Sequence, residues 1–478
     1  MLNEQEPRPG LNQEDGMNSN HARSGRLNRR QLLQLGGVSA IGLGLPELLH
    51  AASPGSRSRA GGQQPKSCIF IVLYGGCSQI DSFDLKPDAP SEIRGPFNPI
   101  ATTVPGTRIC DHMPRLARLA DRYCLIRSMT HGNAGHDGGM HVCMTGHSAP
   151  AENTPYYGSI VAKLCPSTAN VPPYVWLQNL AGDVQPRYLT GGFLSAAYSP
   201  LRVGTDLDNP SAPGFKVKAF DAAADVSTQR FLERQQLLAS VEAAGQSPAG
   251  QFAGNLGQYR ERAVDLLTGP EARTAFDLDR EPTRARDRYG RHPLGQNLLM
   301  ARRLIEAGTR LVSVVAWTGN PPGEKFVNVQ TWDMHGPGAA SYIGSIFGTG
   351  SFGLGWALPR VDEAVSALLT DLEDRGLLEN TLVVMVGEFG RAPRISNLGR
   401  DHWPSCYSAL LAGAGIRGGA VYGSSDKTGG YVRDDPVRPE DFGATLFHAL
   451  GVPPETKLGA DGFTRPVSTG QPVLDLFG

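Results

Sequence analysis

Three uninterrupted apolar, β-branched runs of strand length punctuate the chain: Ser67–Tyr74 (SCIFIVLY), Leu311–Ala316 (LVSVVA) and Thr381–Val386 (TLVVMV). They lack the polar alternation of a half-exposed strand, so they predict strands covered on both faces, as in a parallel sheet flanked by helices. Gly75-Gly76 breaks the first run and Gly387 the third. Apolar positions recur at helical spacing in Met113–Arg122, Ser159–Cys165, Leu294–Ala307, Val361–Leu372 and Asp441–Leu450, and Gly308 terminates the third of these. Cys124–Ser128, Tyr174–Gln178, Tyr407–Leu411 and Gly418–Val421 read as further strands. The alternation predicts one α/β domain over residues 67–478, with a mixed or mainly parallel central sheet and helices on both faces. Val226–Ala244, Leu256–Leu267 and Ala272–Arg288 keep helical periodicity but are rich in charge, so about 199–291 reads as a helix-rich insertion packed on that core.

The start of the chain has a different pattern. Met1–Leu27 is polar and aperiodic, Arg29-Arg30 precede the apolar Leu32–Leu49, and small residues follow at Ala51-Ala52-Ser53. Residues 1–53 thus resemble a twin-arginine export signal, followed by a Gly/Ser/Arg/Gln linker at 54–66. The alternative is a short amphipathic helix carrying two adjacent basic residues. Glycines and Pro46 make Leu32–Leu49 a poor permanent membrane span. The expected location is therefore periplasmic or secreted, with the twin-arginine export machinery as a partner.

Composition narrows the function. With 45 Lys+Arg against 46 Asp+Glu the formal net charge is -1, which supplies no general field for nucleic acid or an anionic membrane. Seven irregularly spaced cysteines fit neither a disulfide scaffold nor a CxxC zinc ribbon. A thiol enzyme built on Cys77 lacks a nearby resolving cysteine or base in sequence.

Ligands in open α/β sheets bind beyond the carboxyl ends of the strands, and there this chain concentrates metal-type residues. Glu388 and Arg391 stand at the lip after the third apolar run, and Asp401-His402 follow a Gly/Pro/Asn-rich loop. Asp333 and His335, two apart in Trp332-Asp333-Met334-His335, point the same way from an extended segment. Asp81 lies past the first run, and His131, His136 and His141 share a glycine-rich stretch with Asp137. Carboxylates beside imidazoles suit a divalent metal. Each has a plainer alternative: Ser78 and Asp81 as turn or helix caps, Asp401-His402 as an acidic turn with a histidine hydrogen-bonded under Trp403.

Strand, acidic tip, Asp-x-His, acidic tip, Asp-His: that order resembles the alkaline phosphatase-like superfamily, which includes sulfatases and phosphomutases. More closely, YGGCSQIDSFDLKPDAPSEIRGPF, ICDHMPRLARLADRYCLIRSM, LGQNLLMARRLIEAG, WDMHG, VGEFGRAPRIS, GRDHWP and LLAGAGIRGG resemble the exported bacterial family called domain of unknown function 1501, over about residues 66–475. The resemblance implies an alkaline phosphatase-like core with metal ligands at Asp333, His335, Glu388 and His402, Asp401 beside the last, and Asp81 as the first-strand acid. Zinc or calcium is the implied ion. The implied activity is an exported, metal-dependent hydrolysis of phosphate or sulfate esters, in which the metal polarises an anionic ester and lowers the pKa of an attacking water. His136, with His131 from the same stretch, supplies general acid/base or phosphoryl-acceptor chemistry, and Arg391 holds the anionic substrate. Two features depart from the superfamily pattern: Glu388-Phe389 replaces an Asp-His pair, and the superfamily's Ser, Thr or Cys nucleophile before a TG turn has no obvious counterpart, since counting back from Thr145-Gly146 brings that position close to His136. The alternative is a non-catalytic member that keeps a structural metal and binds an extracellular polymer or partner.

Overall fold

The three apolar runs lie side by side at the centre of an eight-stranded sheet. The computed structural model describes residues 66–478 apart from 168, 179–190, 206–207, 218–269 (where only Glu233 and Leu237 are described), 320–330, 337–344, 348–352 and 460–462. In chain order the strands are β1 (Ser67–Val72), β2 (Tyr123–Met129), β3 (Tyr174–Leu177), β4 (Leu201–Val203), β5 (Leu311–Val315), β6 (Thr381–Val386), β7 (Tyr407–Ala412) and β8 (Val421–Tyr422). Their spatial order is β8-β2-β7-β6-β1-β5-β3-β4. β1 pairs in parallel with both β5 and β6, and β7 alone runs against its neighbours β6 and β2. The fold is thus α/β with a mainly parallel sheet, as the unalternating runs required.

Side chains leave a strand on alternate faces, so β1 feeds two cores. Ile69, Ile71 and Leu73 pack with α3 (Pro293–Ala307) and α4 (Leu354–Asp374) on one face. Cys68, Phe70, Val72 and Tyr74 pack with α1 (His136–Thr145), α2 (Tyr157–Leu164) and α5 (Pro439–Ala449) on the other. Full burial of every residue of β1, β5 and β6 is the physical counterpart of their apolar composition. At about 25 cal/mol per Å² of apolar surface, these helices hold the sheet chiefly by hydrophobic burial.

The expected insertion is only partly described. Leu201–Val203, inside its expected span, is the edge strand β4, parallel to β3. Pro270–Phe276 and Thr283–Tyr289 are helical, as their periodicity predicts. Of the expected helix Val226–Ala244 only Glu233 and Leu237 are described, both helical, and of the linker only Lys66; the expected helix Leu256–Leu267 and the export signal lie outside the described residues. No helix among the described residues is long and apolar enough to cross a membrane.

Candidate metal centre

Beyond the ends of β1 and β6 three backbone segments meet. Gly75 has φ +114°, and a Cβ there would meet the Asp333 nitrogen at 2.3 Å, so the tip of β1 admits the 332–333 segment only as glycine. Gly390–Arg391 and His402–Trp403 form a short antiparallel ribbon with His402 opposite Arg391, which returns the loop over the tip of β6. Helix α1 begins at His136, and Gly139 in its first turns lies where a Cβ would be 3.0 Å from the Phe389 ring. These approaches bring together residues separated by some 250 positions.

One carboxylate and three imidazoles converge there. Asp333 Oδ1 lies 3.1 Å from His335 Nε2 and 3.3 Å from His402 Nε2, and these two ring nitrogens are 2.8 Å apart. His136 Nε2 lies 3.5 Å from Asp333 Oδ2. Donor atoms of His136, Asp333 and His402 all fall within 4.8 Å of one another. Ligands at about 2.1 Å from a tetrahedral zinc stand about 3.4 Å apart, so the spacing matches a donor shell.

The far side of each ring fixes its tautomer. His402 Nδ1 is 2.7 Å from the Ala134 carbonyl oxygen, His335 Nδ1 is 3.2 Å from Asp401 Oδ1, and His136 Nδ1 is 2.7 Å from Glu388 Oε1. A carbonyl or carboxylate oxygen only accepts, so each Nδ1 carries a proton, and each Nε2, on the side of Asp333, is left to meet either a proton of its own or a cation. Two such nitrogens 2.8 Å apart need a shared positive centre, a proton or a cation. His136 Nε2 is buried without a hydrogen-bond partner, as expected of an atom whose partner is not protein. The residues present therefore fit a divalent cation.

Charge follows the same geometry. Burial would raise the Asp333 carboxyl, but the three imidazoles and Arg391 outweigh it and hold it well below the usual carboxylate range. Burial would lower His136, and the Asp333 and Glu388 carboxylates instead lift it to about 9. Burial lowers His402 and His131.

The other candidate residues are placed otherwise than expected. Arg391 is fully buried, and its three nitrogens are committed: Nε donates to Gly76 O (2.9 Å), Nη1 to Arg400 O (2.9 Å), and Nη2 to Gly75 O, Trp332 O and Asp333 Oδ1. It ties strand tips together and leaves no fork for a substrate. Asp81 is not brought to the cluster; Arg400 Nε and Nη2 grip its two oxygens at 2.7 and 3.0 Å, and Ser78 donates to it at 2.5 Å. His131 Nε2 donates to the Glu388 carbonyl at 2.6 Å while its Nδ1 accepts from Asn133 N, so both ring nitrogens are taken. His141 sits within α1 beside Tyr156. Burial pushes the Cys77 thiol up to about 12, far from a thiolate nucleophile, and all seven cysteines are free.

Two participants escaped the sequence reading. Phe389, which replaces an expected histidine, lies against His136 and His402 with centroids at 5.3 and 4.4 Å and covers one side of the cluster. Arg400 was legible only as the neighbour of Asp401-His402; its buried partner Asp81 is 319 positions away.

Fold and cluster together define an α/β protein with a candidate cation site at the carboxyl ends of its central strands. The chain belongs to DUF1501, a family described as proteins of unknown function, whose model matches residues 65–477. No curated protein matches it in sequence. Among solved structures it is similar to Ps i-CgsB bound to k-i-k-neocarrahexaose (11% identity, 81% of this chain and 72% of that one, TM-score 0.38). It is also similar to a protein in the alkaline phosphatase superfamily from Vibrio parahaemolyticus (10%, 82% and 67%, TM-score 0.37). A third is the phosphonate monoester hydrolase of Agrobacterium radiobacter (12%, 87% and 77%, TM-score 0.35).

Proposed function

We propose that the chain is an exported, metal-dependent hydrolase of phosphate or sulfate esters on an alkaline phosphatase-like core. The convergence of His136, Asp333 and His402 within 4.8 Å, where open α/β sheets bind ligands, carries the reading. His335 completes the donor set, with Asp401 and Glu388 behind two of the rings. Three imidazoles and one carboxylate suit zinc, whereas calcium takes six to eight oxygens. His136, Asp333, His335 and His402 would hold the cation, which when bound would supply polarisation of an anionic ester and stabilisation of developing negative charge.

The chain's own residues do the rest. Phe389 and Tyr74 flank the His136 ring on the protein side, while Asp401 is exposed, so an ester enters past His335 and Asp401. Among the described residues no Ser, Thr or Cys side chain is hydrogen-bonded to His136, Asp333, His335 or His402. Water is therefore the nucleophile in this reading. The same lack favours the second reading, a non-catalytic module with a structural metal.

Metal analysis of the purified protein, a screen of phosphate and sulfate esters, and the same measurements on His402→Ala test both. Metal and ester turnover that vanish together in the variant support the hydrolase. Metal lost without any wild-type turnover supports the binding module, and full metal content in soluble His402→Ala overturns the centre itself.

A further inference from the structure

We propose that Glu388, rather than ligating the cation, is a positioning residue whose carboxylate locks His136 as the Nδ1–H tautomer and sets the basicity of Nε2. This rests on the metal-centre reading above. One oxygen, Oε1, accepts both from Gly75 N at 2.8 Å and from His136 Nδ1 at 2.7 Å, so the acceptor is fixed to the tip of β1. It meets the ring on the edge opposite Nε2, the nitrogen that faces Asp333. Glu388 is itself anchored: its carbonyl accepts from His131 Nε2 at 2.6 Å, and the next ring, Phe389, lies against His136.

The same device recurs behind each imidazole, with a difference in strength. Ala134 offers His402 a neutral carbonyl, and Asp401, which backs His335, is 74% exposed and screened by water. Glu388 is 0% exposed, so its charge acts on His136 through a low-dielectric interior. A carboxylate behind a ligating histidine orients the ring and raises its donor strength, and removing such a group typically lowers metal affinity about 10- to 100-fold. Oε2 is buried without a hydrogen bond, and the competing arrangement has that oxygen on the cation directly.

Cobalt(II), whose visible absorption reports its ligand set, separates the two. Full-length protein stripped with a chelator is titrated with Co²⁺, alongside Glu388→Gln, which keeps an oxygen for both N–H groups and removes the charge. The proposal expects the wild-type band positions and intensities with affinity weaker by about 10- to 100-fold. Unchanged affinity overturns it, and so do shifted bands or altered intensity, which mark a lost ligand. If the glutamine variant does not fold, Glu388→Asp, which withdraws the oxygen but keeps the charge, carries the same expectation and the same overturning results. Wild-type protein that takes up no cobalt overturns the metal centre first, and this proposal with it.

Discussion

Arg391 Nη2 lies 2.6 Å from Asp333 Oδ1, both side chains buried, while the same guanidinium bonds the carbonyls of Gly75, Gly76, Trp332 and Arg400. A cation so placed serves the architecture. Arg391→Lys keeps the charge but cannot span these acceptors. Breaking a buried pair typically costs about 3 to 5 kcal/mol, and a loss of that order is expected in urea or guanidinium unfolding. A normal unfolding midpoint together with weakened binding of phosphate or sulfate would return Arg391 to a substrate-holding role.

Asp81 and Arg400 form a second buried pair, both side chains 0% exposed. Asp81→Ala leaves the Arg400 charge without its carboxylate and is expected to cost about 3 to 5 kcal/mol. Metal per folded molecule should not change. A stable variant that loses metal would restore Asp81 as a ligand.

Far from the candidate centre, Arg302 is buried among Glu281 (2.9 Å), Asp371 (3.0 Å) and Glu306 (2.8 Å). Burial would raise Glu281 and Asp371, but the neighbouring arginines lower both. Carboxyls depressed in the folded state contribute stability that is present above their unfolded values, near pH 4, and lost as pH falls through the folded ones. Arg302→Met is expected to destabilise by about 3 to 5 kcal/mol at pH 7. That deficit should narrow below about pH 4, where the wild type loses the same interactions. Denaturation curves at the two pH values decide it, and an equal deficit at both refutes the linkage.

For the proposed export, replacing Arg29 and Arg30 by lysine should leave the precursor in the cytoplasm. Fractionation of expressing cells reads this directly. Normal delivery of the double variant would remove the twin-arginine route.

The strands were legible in advance because burial on both faces admits only apolar, β-branched residues: Thr381–Val386 was read to the residue, and β1 and β5 to within two. The carboxyl-end rule likewise gathered Asp333, His335, Glu388 and His402 at one lip. What sequence could not decide was the partner of each polar group. Arg391 and Glu388 both follow β6, yet one faces backbone carbonyls and the other the back of an imidazole 252 positions away. Asp81, equally well placed in order, is captured by Arg400. Periodicity reports which face of an element is apolar, a local property. Which lone pair meets which N–H depends on close approaches such as Gly75 against Asp333, which exist only once the chain has packed.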